Sequence, residues 1–314
     1  MENQEIERGR IADFLHRLND NDIWWSFWHS PVAVLSAALA LFMIFISVFA
    51  SVIAPFNPFD LASLDLMDSS LPPVWQSGGD PRFLLGTDDQ GRDILSTILY
   101  GSRISLLVGF VSVIFSLILG VGLGLISGYV GGRTDAIIMR IADVQLSFPA
   151  ILIALLLDGV ARTLLPKDVH SEIAIYVMIF AIAVSGWVQY ARTVRSMVMT
   201  EKVKEYVQAG QVIGLGQFTI MWRHILPNVI GPVFVIGTLH LALAIIIEAT
   251  LSFLGVGLPP TTPSLGTLIR IGNEYLFSGE WWITIFPGAA LVAIALSVNL
   301  FGDWLRDAIN PKLL

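Results

Sequence analysis

Two ionisable residues, His240 and Glu248, fall in or beside a long apolar stretch of the chain. A charge inside a bilayer costs at least about 2.5 kcal/mol on insertion scales, so such residues are functional candidates by default. About two turns of helix separate the pair, which places both on roughly the same face, where a proton-coupled carrier could use them as a relay. In the plainer interpretation, water or the Pro-rich loop at 258–280 solvates Glu248 near the outer end of its span, and His240 is neutral and hydrogen-bonded within the bundle. The pair is therefore a candidate intramembrane polar site.

Signatures of the common enzymes are absent from the sequence. A P-loop needs Gly-Lys followed by Ser or Thr, and no lysine follows a glycine. The zinc-protease motif His-Glu-x-x-His, the hydrolase motif Gly-x-Ser-x-Gly and the dinucleotide motif Gly-x-Gly-x-x-Gly are also missing. The histidines are scattered and there is no cysteine. We expect no catalytic residue, no bound cofactor and no metal on this chain.

The composition is that of a membrane protein. The 314 residues are 55% hydrophobic and 14% charged, whereas soluble domains are about 25% charged. Mean hydropathy is +0.73. A bilayer span needs about 20 consecutive apolar residues. Runs without Asp, Glu, Lys or Arg cover 31–54, 104–132, 173–191, 225–247 and 281–302, and a sixth segment, 142–160, holds Asp143 and Asp158 near its ends. The sequence predicts an all-α integral membrane protein with six transmembrane helices.

Six spans place both chain termini on one side of the membrane. If that side is the cytoplasm, twelve of the 18 Lys and Arg residues lie there, as the positive-inside rule requires. A net charge of -7 and the lack of a basic cluster argue against a nucleic-acid partner. Membrane lipid is the expected surroundings. Residues 6–18 form either an amphipathic helix on the membrane surface or a disordered tail.

These patterns divide the chain into parts. The segment between the first two spans is rich in Pro, Gly and Asp, and its backbone polar groups cannot be left unpaired in hydrocarbon. The expected parts are a cytoplasmic N-terminal segment 1–30, a first transmembrane helix 31–54, a periplasmic segment 55–103, and a five-helix core 104–314 with a large cytoplasmic loop at 192–227.

Small residues recur at every fourth position of the second span, and in a helix they form one nearly straight groove. They are Ser112, Ser116, Gly120, Gly124 and Gly128. Another helix backbone can approach closely along such a groove. The occupant is either a helix of the same chain or a helix of another chain in a homodimer or heterodimer, and neither choice makes the groove a substrate site.

The large inside loop has a soluble composition. Apolar residues recur there at a spacing of three or four, which predicts a short amphipathic helix. They are Met199, Val203, Tyr206 and Val207. The run Gly214-Leu215-Gly216 predicts a glycine break, after which a second short helix passes through Ile220 into the fifth span. A loop of this size usually carries a function, and an ordinary solvated loop is the alternative.

Four other stretches follow a recognisable pattern. They are Gly-Thr-Asp-Asp-Gln-Gly-Arg-Asp at 86–93 with its continuation through 96–106, Asp143 with Ser-Phe-Pro at 147–149, residues 248–257 with 263–266, and residues 299–307. In this order they resemble the inner-membrane permeases of peptide and nickel ABC importers, specifically the C-type subunit that pairs with a second, related permease. The resemblance runs from about residue 32 to 312. Thr97 departs from it, since many relatives have arginine there.

Residues 205–228 resemble the cytoplasmic loop by which such permeases dock on their ATPases. The family pattern is Glu-Ala-Ala, three residues, Gly, and later Leu-Pro. Here the first three positions read Gln-Ala-Gly at 208–210, so a salt bridge from the first position is not carried over, while the later glycine and Leu-Pro match. The resemblance implies an ATPase-coupling role for Glu205, Gln208, Ala209, Gly210, Gly214, Leu215, Gly216, Ile220, Leu226 and Pro227.

The resemblance also implies an architecture and an assembly. The fold would be that of type I ABC importer permeases in the bacterial inner membrane. The partners would be a second permease, two ATPase subunits that hold ATP and Mg, and a periplasmic substrate-binding protein. Dipeptides and oligopeptides are the implied substrates, while nickel chelates, glutathione and other peptide-like solutes stay open. The alternatives are a proton-coupled secondary carrier that uses Glu248 and His240, or a membrane-embedded enzyme, and neither has a motif here.

Overall fold

The computed structural model of the protein describes residues 22–60, 64–164, 166–256 and 263–309. Residues 6–18 and Gly257, which carry expectations given above, lie outside the described residues. The helices are α1 Asp22–His29, α2 Pro31–Val48, α3 Ala50–Ile53, α4 Ile94–Val130, α5 Gly132–Leu146, α6 Ala150–Leu164, α7 Lys167–Glu201, α8 Glu205–Val212, α9 Gln217–Thr219, a π-helical turn Ile220–Ile225, α10 Leu226–Phe253, α11 Leu265–Tyr275 and α12 Trp282–Ile309.

Five helical stretches of the described chain are long and apolar enough to cross a membrane. They are Pro31–Val48, Ile94–Val130, Ile173–Glu201, Gln217–Phe253 and Trp282–Ala308. A sixth crossing is supplied when the bent pair α5 and α6 counts as one span. The prediction of an all-α, multi-pass membrane protein is confirmed.

The third span differs from its prediction. Residues 142–160 were expected to form one helix, but α5 and α6 are bent by 92° across the short break that separates them. The physical cause lies in the sequence Ser147-Phe148-Pro149. Proline has no backbone N–H to donate, and its ring disfavours helical geometry at the residue before it, so the helix ends ahead of Pro149 and starts again after it.

Two further boundaries differ from the expectation. The helix of the second span begins at Ile94 rather than at residue 104, so the last part of the segment 55–103 is helical. The reason is a cap, since Asp93 Oδ2 accepts a hydrogen bond from the backbone N–H of Ser96 at 2.8 Å. The first span, expected at 31–54, is interrupted at Phe49, which separates α2 from α3.

The small-residue groove of α4 is occupied by α7 of the same chain. Ser112 Oγ donates to the carbonyl oxygen of Ile179 at 3.2 Å, and Ser116 Oγ to that of Ala183 at 2.9 Å. At Gly120 an added Cβ would lie 2.5 Å from the carbonyl oxygen of Trp187. Gly124 and Gly128 continue the series against the carbonyl oxygens of Ala191 and Arg195, at 2.7 and 2.8 Å.

These contacts advance in the same direction along both helices, so α4 and α7 run parallel. Each step of four residues on α4 is matched by a step of four on α7. Two parallel spanning helices require the chain between them to cross back, and that chain is the bent pair α5 and α6. The parallel pairing therefore supports counting the bent pair as one crossing.

A compact cap, residues 64–93, covers one end of the bundle. Its centre is a buried ion pair in which Arg92 Nε donates to Asp88 Oδ2 at 2.6 Å. Burial raises the pKa of Asp88, and the charge of Arg92 opposes that shift. Trp282 Nε1 donates to the carbonyl oxygen of Thr87 at 3.1 Å. This bond fastens the cap to the start of α12.

The groove yields a stability prediction with a control on the same helix. Gly120→Ala places a methyl group against the backbone of α7, whereas Gly122→Ala meets nothing within 4 Å. Both changes gain about 1 kcal/mol of helix propensity, and only the first adds overpacking of about 1–3 kcal/mol. We expect Gly120→Ala to unfold at a lower temperature in detergent than Gly122→Ala. Equal unfolding temperatures would contradict the close packing of α4 on α7.

Candidate functional site

The connecting segment, residues 202–225, joins α7 to α10. It contains α8, a turn at Gly214 with φ +84°, the short helix α9 and the π-helical turn. The Leu215 N–H donates to the carbonyl oxygen of Gly210 at 3.0 Å, which closes the turn. The predicted glycine break, followed by a second short helix that continues into the fifth span, is confirmed. Met199 instead belongs to the end of α7.

The inner face of the connecting segment is part of the protein core. Val207, Ile220 and Ile225 are almost completely buried, and they pack in one cluster with Val194 and Val198 of α7. The same cluster includes residues of α4 and α10. Because three spanning helices contribute to it, a displacement of the connecting segment must also displace the ends of those helices.

Polar contacts also tie the segment to the helix ends. Lys202 Nζ donates to the carbonyl oxygen of Gly128, near the end of α4, at 3.0 Å. The Tyr206 hydroxyl donates to Glu201 Oε2 at 2.7 Å and accepts from Asn228 Nδ2 at 3.3 Å. Burial, together with the hydrogen bond to Glu201, raises the pKa of Tyr206 to about 12. The hydroxyl therefore keeps its proton and links α7 to α10.

The outer face of the segment carries an exposed apolar surface, formed by Val212, Ile213, Phe218 and Trp222. Their exposed fractions are 88%, 77%, 71% and 58%. The Phe218 and Trp222 rings stack with centroids 6.1 Å apart and planes 6° apart. Val212 and Ile213 lie outside the candidate spans, and Phe218 and Trp222 lie in the first turns of the candidate span Gln217–Phe253. Exposed apolar side chains at the end of a span are candidates for a protein interface. This surface was not singled out from the sequence, although its residues stand in the loop that was.

The remaining predicted residues of the loop have different environments. Glu205, Gln208 and Ala209 are exposed, and Gln208 Nε2 donates to the carbonyl oxygen of Val203 at 3.0 Å. Gly210 is buried, and an added Cβ would be 3.4 Å from Leu215 Cδ1. Gly216 precedes α9 and has open space around it.

Leu226 and Pro227 begin α10 directly after the π-helical turn. Proline cannot donate to a carbonyl one turn earlier, and its ring would crowd that carbonyl in an ordinary α-helix. The wider π-helical turn Ile220–Ile225 lies where this conflict arises, and it joins the segment to α10 without a break. The segment and the spanning helix are therefore continuous.

Glu248 is completely buried, so its expected solvation by water is wrong, whereas Ser264 of the Pro-rich loop lies beside its carboxyl group, as the other expectation had it. Its Oε1 accepts a hydrogen bond from Ser252 Oγ at 2.8 Å. Ser105 of α4 and Ser264, just before α11, lie beside the carboxyl group. Its Oε2 has no hydrogen-bond partner among the described residues. The carboxyl thus lies where α4, α10 and α11 meet.

His240 has other neighbours than Glu248. Its Nε2 is hydrogen-bonded to Gln189 Oε1 of α7, and its ring packs edge-on against Tyr190 at 4.7 Å between centroids. The two predicted members of the intramembrane polar site therefore face different helices. No contact between their side chains is present among the described residues.

A cavity of about 190 Å³ opens beside His240, at the bend between α5 and α6. We call it the polar cavity. Its polar lining consists of Ser116, Gln145, Ser185, Gln189 and His240, and its other lining residues are apolar or glycine. No Asp, Glu, Lys or Arg is among them. The sequence did not single out Gln145 and Gln189, since an uncharged amide within or beside an apolar run does not interrupt that run.

Gln145 has both ends of its amide engaged. Its Oε1 accepts from Trp187 Nε1 at 2.7 Å, and its Nε2 donates to the carbonyl oxygen of Val184 at 2.6 Å. Two ion pairs between the same two helices lie further along α7, Arg192 with Asp143 and Arg195 with Asp135. These contacts hold α5 against α7 ahead of the bend.

Among the described residues, no group of three or more His, Cys, Asp or Glu side chains is arranged to hold a metal ion. The candidate sites are therefore two: the exposed apolar surface on the connecting segment, and the polar cavity within the bundle.

The fold is similar to that of a solved ABC transporter chain. A chain of the inward-facing MetNI methionine ABC transporter aligns with a TM-score of 0.53 and 18% identity, covering 69% of this chain and 98% of that chain. At this identity the likeness supports the fold alone, which is that of an ABC importer permease.

Two family models match separate parts of the chain. Residues 120–314 match the family described as binding-protein-dependent transport system inner membrane component. Residues 21–73 match the N-terminal transmembrane domain of oligopeptide transport permease C.

Curated relatives cover most of the chain. The dipeptide transport system permease protein DppC of Haemophilus influenzae is 40% identical over 93% of this chain and 94% of the relative. The DppC protein of Escherichia coli is 40% identical over 93% of each chain. The oligopeptide permease OppC of Bacillus subtilis is 37% identical over 93% of this chain and 89% of the relative. The chain therefore belongs to the binding-protein-dependent inner membrane permeases of ABC importers, and within them to the C-type subunits of dipeptide and oligopeptide systems.

Proposed function

We propose that this permease moves dipeptides and oligopeptides across the bacterial inner membrane, with both termini in the cytoplasm. The substrate class follows from relatives that are named dipeptide and oligopeptide permeases. The orientation follows from the Lys and Arg residues, which are concentrated on the side of the connecting segment.

Transport is driven by two separate ATPase subunits, which bind ATP and Mg, because this chain has no P-loop. The observation that carries this role is the exposed apolar surface of the connecting segment. Val212, Ile213, Phe218 and Trp222 seat in a groove of the ATPase, and the buried face of the segment transmits its movement to α4, α7 and α10. The predicted coupling residues lie in the same stretch, 205–227, and hold these four side chains in position.

The assembly contains two further partners. A second, related permease completes the path, since a C-type subunit is one of a pair. A periplasmic binding protein delivers the substrate to the side of the cap. In this arrangement 1–30 is cytoplasmic, 31–54 is the first membrane helix, 55–103 is periplasmic up to the projecting start of α4, and 104–314 is the core with its loop at 192–227.

The alternatives have less support. A proton-coupled carrier would use His240 and Glu248 together, but these side chains contact different helices. A membrane-embedded enzyme would need a catalytic motif, and none of the common ones is present in the sequence. Nickel chelates, glutathione and other peptide-like solutes remain competing substrates for the same machinery, and uptake assays with each solute distinguish them.

The apolar surface yields the first test of coupling. Phe218→Ala removes an exposed ring from the proposed interface, and burial of such a ring contributes about 1.5–3 kcal/mol, or roughly ten- to hundredfold in affinity. We expect the ATPase subunits to be lost from the purified complex or bound correspondingly more weakly, as measured by titration of ATPase into permease.

The matched control is Phe277→Ala, which removes a ring that is 96% exposed at the end of α11. That change should leave the affinity for the ATPase unaltered. Equal affinities for the Phe218→Ala and wild-type permeases would contradict the assignment of this surface.

The turn at Gly214 yields a second test. Gly214→Val puts a side chain where φ is +84°, a geometry that costs L residues about 1–2 kcal/mol, although nothing lies within 4 Å. We expect the turn to rearrange and substrate-stimulated ATP hydrolysis to fall, while the bundle stays folded. Gly279→Val, with φ +97° and equally open space, carries the same strain elsewhere. If both variants kept normal stimulation, the coupling role of the turn would be wrong.

A further inference from the structure

The polar cavity lies about halfway across the membrane. Ser116 is near the middle of α4, which runs from Ile94 to Val130. Gln189 is near the middle of the spanning stretch Ile173–Glu201. The bend between α5 and α6 opens the wall at the same level, and Phe148 at the bend is 58% exposed. Broken helices near the midplane are a recurring feature of substrate sites in transporters.

Gln189 is exposed on the surface of the chain, although it stands at the centre of a spanning helix. An amide facing hydrocarbon would leave its hydrogen-bonding groups without partners, which is strongly unfavourable. Polar residues at this depth therefore face protein or a water-filled space. This face of the bundle therefore contacts the second permease or the transport path rather than lipid, and the cavity that opens beside Gln189 favours the path.

The hydrogen-bonding groups that remain free in the polar cavity match one chemical group. Gln189 Oε1 can only accept, so His240 Nε2 carries the proton in their mutual bond. In the neutral ring His240 Nδ1 is then an acceptor, while Gln189 Nε2 keeps donors to offer. Among the described residues, neither His240 Nδ1 nor Gln189 Nε2 makes a hydrogen bond. One donor beside one acceptor is the complement of a peptide group, with its C=O and N–H.

The other walls of the cavity add shape without charge. Gln145 is held by Trp187 and Val184 and so forms a fixed wall rather than a free contact. Val113, Ile153, Leu243 and Ile247 supply apolar surface. A charged side chain of a substrate would find no counter-ion in this lining. Contacts to the substrate backbone are the ones that every peptide shares.

We propose that Gln189 and His240 form a contact site for the backbone peptide group of the substrate during its passage through the polar cavity. The inference rests on the proposed function of peptide import. It adds the site, its residues and its chemical selectivity: the site binds neutral amide groups and does not discriminate among substrate side chains by charge.

The first experiment introduces a negative charge at position 189 without changing the size of the side chain. The complete complex, with its partner permease, ATPases and binding protein, is reconstituted in liposomes, and uptake of a Lys-containing and an Asp-containing dipeptide is measured at saturating concentrations. In Gln189→Glu, a carboxylate next to the path should raise the ratio of Lys-dipeptide to Asp-dipeptide uptake by roughly tenfold. Gln76→Glu makes the same charge change in the cap and should leave the ratio at the wild-type value.

The second experiment reports proximity directly and does not depend on activity of a charged variant. The chain has no cysteine, so Gln189→Cys provides a single thiol. A dipeptide whose cysteine is activated as a pyridyl disulfide is supplied during turnover. The thiolate at position 189 attacks that disulfide, a new disulfide joins peptide and chain, and pyridine-2-thione leaves. The adduct is detected as added mass on this chain. Thr250→Cys, on α10 but outside the lining of the polar cavity, is the control.

The outcomes distinguish failure of the contact site from failure of the proposed function. An adduct at position 189 but not at position 250, with a raised uptake ratio in Gln189→Glu, supports the contact site. An unchanged ratio in an active Gln189→Glu complex, or no adduct at position 189 while the complex takes up the same peptide, overturns it. Absence of peptide uptake by the wild-type complex would instead overturn the proposed function.

Discussion

The close parallel packing of α4 on α7 is the contact on which the rest of the bundle depends. Lipid tails are as apolar as leucine side chains, so helices in a bilayer associate through close packing and hydrogen bonds rather than through the hydrophobic effect. The small residues of α4 allow that approach, and the hydroxyls of Ser112 and Ser116 add bonds to the α7 backbone. No larger residue fits at Gly120 without moving the two helices apart.

The parallel orientation of α4 and α7 has consequences inside the membrane and at its two surfaces. The chain between α4 and α7 has to return across the membrane, and it does so as a bent pair because Pro149 interrupts the helix. The bend leaves room for the polar cavity. Both α4, with 37 residues, and α7, with 35, exceed the roughly 20 residues that a bilayer requires. Their projecting ends therefore reach the cap on one side and the connecting segment on the other.

The connecting segment combines two kinds of surface that serve one purpose. Its inner face shares a core with three spanning helices, and its outer face exposes Phe218 and Trp222. A loop held only by its ends could move without the bundle, whereas a segment with Val207 and Ile220 in the core cannot. A permease that performs no chemistry of its own needs this property, because the free energy for transport arrives from another chain.

Sequence alone determined the features that depend on local composition. Long apolar runs specify membrane helices wherever they occur, and a glycine run such as Gly214-Leu215-Gly216 breaks a helix in any context. The all-α class, the approximate number of spans, the location of the connecting segment and the family resemblance followed from such patterns. The small-residue groove was also visible, although its occupant was not, because a groove accepts any helix that can approach it closely.

Only the tertiary structure decided which residues share a site. Gln189 and His240 come from different helices and are joined by a hydrogen bond that no spacing in the sequence indicates. Conversely, His240 and Glu248 are close in sequence yet face different neighbours, since helices pack on several sides and each residue meets the one that lies on its own side. The size of the bend at Pro149, 92°, was also decided by the tertiary structure, since a proline interrupts a helix without fixing the direction in which the chain continues. Hydropathy is a property of short windows, whereas a polar site inside a membrane is a property of the helices that converge on it.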